Sequence, residues 1–249
     1  MKKKFIVFTL ILVFLIPMVK QNHSDASING ILLKDFVSLT FYTSKAFIPN
    51  YHLLEELIVL PETSFNENDA IEMIRRMGRV DSSILEALVS NHVKITFFNG
   101  KLTDQPSASH LKGLKPRGYS AKGPSWDDVP GIGGSKTVLV KIGHSHSGLG
   151  HGSLNLELHE TAHTIDQHIF NMIRHDEDFH KIWREEAPKM FPNLAYFIDY
   201  PEEYFAEAFV YYYYSNDSRE QLKQKAPLTE QFFSELIESI RLMNMDEQN

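Results

Sequence analysis

The stretch LNLELHETAHTIDQH, residues 154–168, concentrates its chemistry in His159, Glu160 and His163. On a helix, residues four apart lie about one turn apart on the same face, so the two imidazoles can hold a single ion. Glu160 projects beside them and can reach a water on that ion rather than the ion itself. The chemistry this implies is zinc-assisted hydrolysis with a carboxylate base. An ordinary solvated polar helix face is the competing reading. Leu154, Leu158, Ala162, Ile165 and Ile169 mark an apolar side on which the helix packs in either case.

A zinc enzyme needs at least one more ligand from elsewhere. A third His six residues beyond His163, with Gly at the third, is one solution, but those positions hold Ile169 and Asp166. His168 is one residue out of register and is a surface or packing histidine. The other solution is a carboxylate from a later helix, and YPEEYFAEAFVYYYYS (residues 200–215) supplies it. Glu203 and Glu207 sit four apart on one face, with Phe205, Ala206, Ala208, Phe209 and Tyr212 packing around them. Glu203 as ligand and Glu207 as the partner of a ligating imidazole is a sensible division. Asp199 is expected to cap this helix, with Pro201 in its first turn and Glu202 completing a capping-box-like pair.

These two segments resemble the catalytic domain of anthrax lethal factor and the related secreted Pro-Pro endopeptidases. The upstream run PRGY…SWDDVPGIGG…GLGHGSLNLELHE is similar to the short secreted peptidases rather than the large toxin, and the likeness spans roughly residues 60–240. It implies a zincin-like fold, Zn²⁺ held by His159, His163 and Glu203, and Glu160 as the catalytic base. The pattern's second Glu falls on Glu207. A Tyr seven residues before the third ligand donates to the tetrahedral intermediate in the family, and Tyr196 stands there. The loop bearing Arg117 and Tyr119 corresponds to a basic-Gly-aromatic element beside the substrate's prolines. Where the peptidases often carry Trp, this chain has Tyr119. The implied substrate is an extended, proline-containing polypeptide. A toxin-like specificity without proline, a non-catalytic docking module and a structural zinc protein are the other readings.

The elements that must position these residues follow from periodicity. Helices are expected from Asn66 or Asn68 to Gly78, over SSILEALVSN behind the cap Asp81, around 176–190 and 200–215, and from about Thr229 to Met243. VKITFF and TVLVKIG read as strands, the latter also as a surface for an added peptide strand. FVSLTFYT looks strand-like and NYHLLEELIVL helical up to Pro61. Residues 103–136 are irregular and rich in Gly, Pro and Ser, with Tyr119 and Trp126 arguing for ordered contacts. Ser153 is expected to cap the His159 helix. His144 and His146 belong to a turn rather than the metal site. The sum is a predominantly helical α+β domain with a small mixed sheet, over residues 27–249.

The amino terminus, MKKKFIVFTLILVFLIPMVK, has the layout of a secretory signal peptide, with cleavage expected after Ala26. Its apolar run is short for a spanning helix. There is no Cys among 249 residues, so export here brings no disulfides. The Lys-rich leader with no Cys suits a Gram-positive secretome. Removing the leader's charges takes the formal charge of −7 to −10, unsuited to nucleic acid or anionic membranes. A monomer is expected.

Overall fold

In a computed structural model the protein is described over residues 29–116 and 123–246. The leader, Arg117 and Tyr119 therefore lie outside the described residues. VKITFF and TVLVKIG become β3 (Lys94–Phe98) and β5 (Thr137–Lys141), the parallel centre of a five-stranded mixed sheet. β2 (Ile58–Leu60) pairs parallel with β3 on the far side. Short antiparallel strands close both edges: β1 (Ile31–Leu32) on β2, and β4 (Gly131–Ile132) on β5. Across the sheet the order is β1-β2-β3-β5-β4.

Two expectations near the amino terminus need correction. FVSLTFYT is not a strand; Leu39–Ser44 forms a short helix, α1, with only Phe41 buried. Val37, Leu39 and Tyr42 stay exposed, so the run has no sheet face to bury and bonds its backbone locally, the Tyr42 N–H to the Ser38 carbonyl at 3.0 Å. The helix of NYHLLEELIVL stops early, as α2 (Tyr51–Leu57), and Ile58–Leu60 switches to strand. Those three residues are fully buried and rich in β-branched carbon, which suits a central strand more than a helix turn.

Both helices expected next are present. α3 (Glu67–Met77) is capped by Asn66 and α4 (Ser82–Ser90) by Asp81. After the catalytic-motif helix α5 (Leu156–His168) come α6 (Glu177–Met190), α7 (Ala195–Asp199), α8 (Pro201–Tyr214), α9 (Asn216–Lys225) and α10 (Pro227–Asp246). The main core runs continuously from the sheet through α3, α4 and α5 to α8 and α10, carried by residues such as Ile95, Val138, Leu158, Phe205 and Phe233. A smaller core of Phe98, Leu102, Ala108 and Leu139 holds Trp126, Val129 and Ile132 against the other face. Within the expected irregular segment, Trp126 makes ordered contacts, and 3₁₀ turns form at Leu102–Asp104 and Pro106–Leu111; Tyr119, the other half of that expectation, lies outside the described residues. No helix among the described residues is long and apolar enough to cross a membrane.

Candidate metal centre and active-site cleft

α5 begins at Asn155, whose side chain accepts from the Leu158 amide at 3.0 Å. The expected cap, Ser153, instead supports Asn155 by accepting from its N–H at 3.3 Å. The His-rich turn dictates this shift: an antiparallel bridge from His146 to Asn155 and the Leu156 N–H bond to the Ser145 carbonyl start the helix two residues later. His144 and His151 are bonded within that turn, His151 through Nε2 to the His144 carbonyl at 2.8 Å.

Three faces of α5 have separate duties. Leu158, Ala162 and Ile165 are fully buried in the core. Glu157, also fully buried, accepts from Arg76 Nε of α3 at 2.6 Å and anchors the helix from behind. His159, Glu160 and His163 face a cleft. The second helix of the site, α8, packs against α5 more extensively than any other element pair. Asp199 does not cap it. Tyr200, pushed to an extended backbone by the following proline, takes the cap position and makes no side-chain cap bond.

This pairing brings the three expected ligands together. His159 Nε2 lies 3.2 Å from His163 Nε2 and 3.2 Å from Glu203 Oε2, and His163 Nε2 lies 3.4 Å from the same oxygen. One ligand atom from each residue falls within 4.8 Å of the others, enough to hold a metal ion. Glu207 does not join them. One of its oxygens faces His159 Nδ1 at 3.1 Å and the other accepts from the Leu154 N–H at 2.9 Å, fixing the ring's orientation.

The carboxylates of Glu203 and Glu207 meet the imidazoles here. Burial opposes protonation of His159, yet Glu203 and Glu207 outweigh it and raise its pKa to about 10. Burial likewise pushes Glu203 upward, but the two histidines win and hold it well below the usual carboxylate range. Glu160 goes the other way, raised chiefly by burial. A carboxyl poised above its ordinary range beside His159 and His163 is suited to taking up a proton.

The cleft around these groups has a volume of about 900 Å³. One wall is β4 and the glycines after it. A Cβ at Gly131 would meet the Glu160 side chain at 2.9 Å, and one at Gly133 would meet the Glu160 carbonyl at 1.9 Å. Only glycine allows so close an approach. Thr164 ties this loop to α5, accepting from the Gly134 N–H at 3.0 Å and donating to the Ser135 carbonyl at 2.9 Å. TVLVKIG is not available for an added strand, because β5 lies inside the sheet between β3 and β4. The free edge beside the metal centre belongs to β4. Residues 193–197 form the opposite wall and place Tyr196 in the cleft, 45% exposed and edge-on to Tyr200.

Three contributors were not foreseen from the sequence. Arg76 pairs with Glu157 across 81 positions, which no local pattern reveals. The closeness of Gly131 and Gly133 to Glu160 is hinted at only by the repeated glycines of GIGG. Arg174 lines the cleft from the turn after α5. Its signal was Asp166, an acid at a position the helix period assigns to the interior, which needs a cationic partner.

The chain matches the family described as "Anthrax toxin lethal factor, N- and C-terminal domain" over residues 47–236. It is 42% identical over 187 residues to a Pro-Pro endopeptidase of Clostridioides difficile, covering 75% of this chain and 84% of that one. A Pro-Pro endopeptidase of Paenibacillus alvei is 38% identical over 212 residues, 85% of this chain and 97% of the relative. The solved structure of the Pro-Pro endopeptidase PPEP-2 from Paenibacillus alvei superposes with a TM-score of 0.71 at 42% identity, covering 74% of this chain and 99% of that one. With the match extending from α2 into α10, the two-helix centre included, the chain belongs to the anthrax toxin lethal factor family.

Proposed function

We propose that this chain is a zinc-dependent endopeptidase that cuts extended polypeptides between two prolines, acting outside the cell. The observation that carries the reading is the convergence of His159, His163 and Glu203 beside Glu160, in a cleft edged by β4. Tetrahedral zinc with ligands at about 2.0–2.1 Å requires ligand atoms about 3.3 Å apart. The three pairs here, at 3.2, 3.2 and 3.4 Å, suit that ion. Two imidazoles and one carboxylate also leave the open position of catalytic sites, unlike the closed four-ligand sets of structural zinc. Zinc bound there would acidify water and polarise the scissile carbonyl.

The chain's own residues supply the rest. Glu160 takes the proton of the attacking water and passes it to the leaving nitrogen. Tyr196 donates to the developing oxyanion from the opposite wall. Glu207 accepts from His159 Nδ1–H and so presents Nε2 to the ion. Arg117 and Tyr119 are assigned to the substrate's prolines on the resemblance of their loop to that of the Pro-Pro endopeptidases. The β4 edge offers the substrate backbone a strand to pair with. Prolines lack the N–H that such pairing uses, so they must be chosen by shape and aromatic contact. The preference for prolines rests on the two Pro-Pro endopeptidases that this chain resembles. Action outside the cell rests on the signal-peptide layout of the leader.

A peptide-library cleavage assay on the chain without its leader tests this reading. Cleavage between prolines is expected, lost with a chelator and in Glu160→Ala. A zinc-loaded protein that cleaves no library member contradicts the enzyme, and cleavage indifferent to proline on both sides of the bond contradicts the specificity.

A further inference from the structure

We propose that Arg174 is a carboxylate-binding subsite of the cleft, taking an acidic side chain of the substrate or the free carboxyl end of a peptide. The proposal rests on the peptidase reading above. Arg174 sits in the 3₁₀ turn Ile173–His175, just past α5. Its anchor is Asp166, fully buried on α5, which accepts the Arg174 backbone N–H at 3.1 Å and Nε–H at 2.5 Å. The turn is fixed further by the Met172 N–H bond to the Asp166 carbonyl at 2.7 Å and by His180 Nε2 against the Arg174 carbonyl at 2.5 Å.

A guanidinium has five N–H donors in a planar fork. An arginine serving only to neutralise Asp166 would be expected to bind it through two side-chain nitrogens. Here Asp166 takes one side-chain and one backbone donor instead. Neither Nη of Arg174 has a protein partner among the described residues, and the side chain is 22% exposed where it lines the cleft. The remaining Nη pair has the spacing that receives a carboxylate on two parallel bonds. Among the described residues Arg174 is the only Lys or Arg lining the cleft. A substrate carboxylate that reaches this end of the cleft meets the free Nη pair, so acidity is read at the peptide position that lies beside Arg174.

The test is a Glu-versus-Gln scan through the positions flanking a Pro-Pro bond, each peptide made with a free and an amidated carboxyl end. Wild-type protein is expected to favour Glu over Gln by about tenfold in kcat/KM at one position, mainly through KM, or the free acid over the amide if the end group is what binds. In Arg174→Gln the same ratio is expected to fall below about twofold. Taking ratios within one protein removes any general loss of activity. If Arg174→Gln fails to fold because Asp166 is left buried without a cation, Arg174→Lys keeps the charge while lacking the fork, and its ratio should also fall.

Wild-type ratios near one at every position and both ends overturn the proposal, as does a preference that survives in Arg174→Gln. Failure to cleave any Pro-Pro peptide counts against the proposed function instead. In that event the subsite is read by fluorescence anisotropy of labelled Glu and Gln peptides on Glu160→Gln protein, where equal binding, or none, overturns it.

Discussion

The two long walls of the cleft are built by opposite means. The α5–α8 wall consists of chemically active side chains locked by burial: two histidines and two glutamates whose positions are over-determined by the core, by Arg76 and by each other. The β4 wall works through side chains that are missing, with Gly131 and Gly133 letting a strand edge lie directly on Glu160. One wall supplies reactivity and the other supplies access, and they should fail differently when disturbed.

Glu160→Gln is the largest expected loss, about 10²- to 10⁴-fold in kcat, because it removes proton transfer while sparing the ligands. Metal content by mass spectrometry should stay at the wild-type level; loss of the ion would mean that Glu160 holds it. Arg76→Met breaks the α5 wall from behind, leaving Glu157 as an uncompensated buried charge. Urea unfolding should show about 3–5 kcal/mol of destabilisation. A change under about 1 kcal/mol would show that Glu157 is hydrated or neutral.

Glu207→Gln is a subtler injury to the same wall. It should weaken metal affinity about 10- to 100-fold by loosening His159, as read by competition with a chelator. On the β4 wall, Gly133→Ala must push the strand off α5, at about 1–3 kcal/mol and with a drop in kcat/KM at unchanged metal content. Gly152→Ala, where a Cβ would meet nothing within 4 Å, is the contrast and should stay within about 0.5 kcal/mol.

The smallest expected effect concerns the segment leading to β4. Asp127 accepts from Thr103, Gly113 and Ser125, which lower its pKa to about 2. Its folded pKa is depressed, so its contribution is complete above the unfolded value of 3.8 and fades as pH falls through about 2. Trp126 fluorescence in a Trp183→Phe background should therefore change across that window, and the change should be absent in Asp127→Asn.

How much of this was legible follows the same division. The α5–α8 wall could be read because its ligands obey helical spacing, and packing then kept Glu203 where spacing put it. α3 and α4 were legible through caps and apolar periodicity. The β4 wall was not, because a two-residue strand has no period and a glycine's close approach is set by a helix 27 to 29 residues away. Placing the added peptide strand on TVLVKIG failed for the same reason: a strand's neighbours are fixed by topology, which local composition does not encode. Asn155 displaced Ser153 as cap through a bridge from His146, a non-local bond again. α1 departed from its β propensity because its apolar residues, Phe41 apart, find no sheet face to bury.

The central claim is that one metal ion among His159, His163 and Glu203 makes the cleft a peptidase. Titrating zinc into metal-stripped protein while following cleavage of a Pro-Pro peptide tests it most directly. The account predicts negligible cleavage at the start, a rate rising in proportion to zinc, and a break at one equivalent. A rate that is already full in the stripped protein and indifferent to added zinc would contradict it.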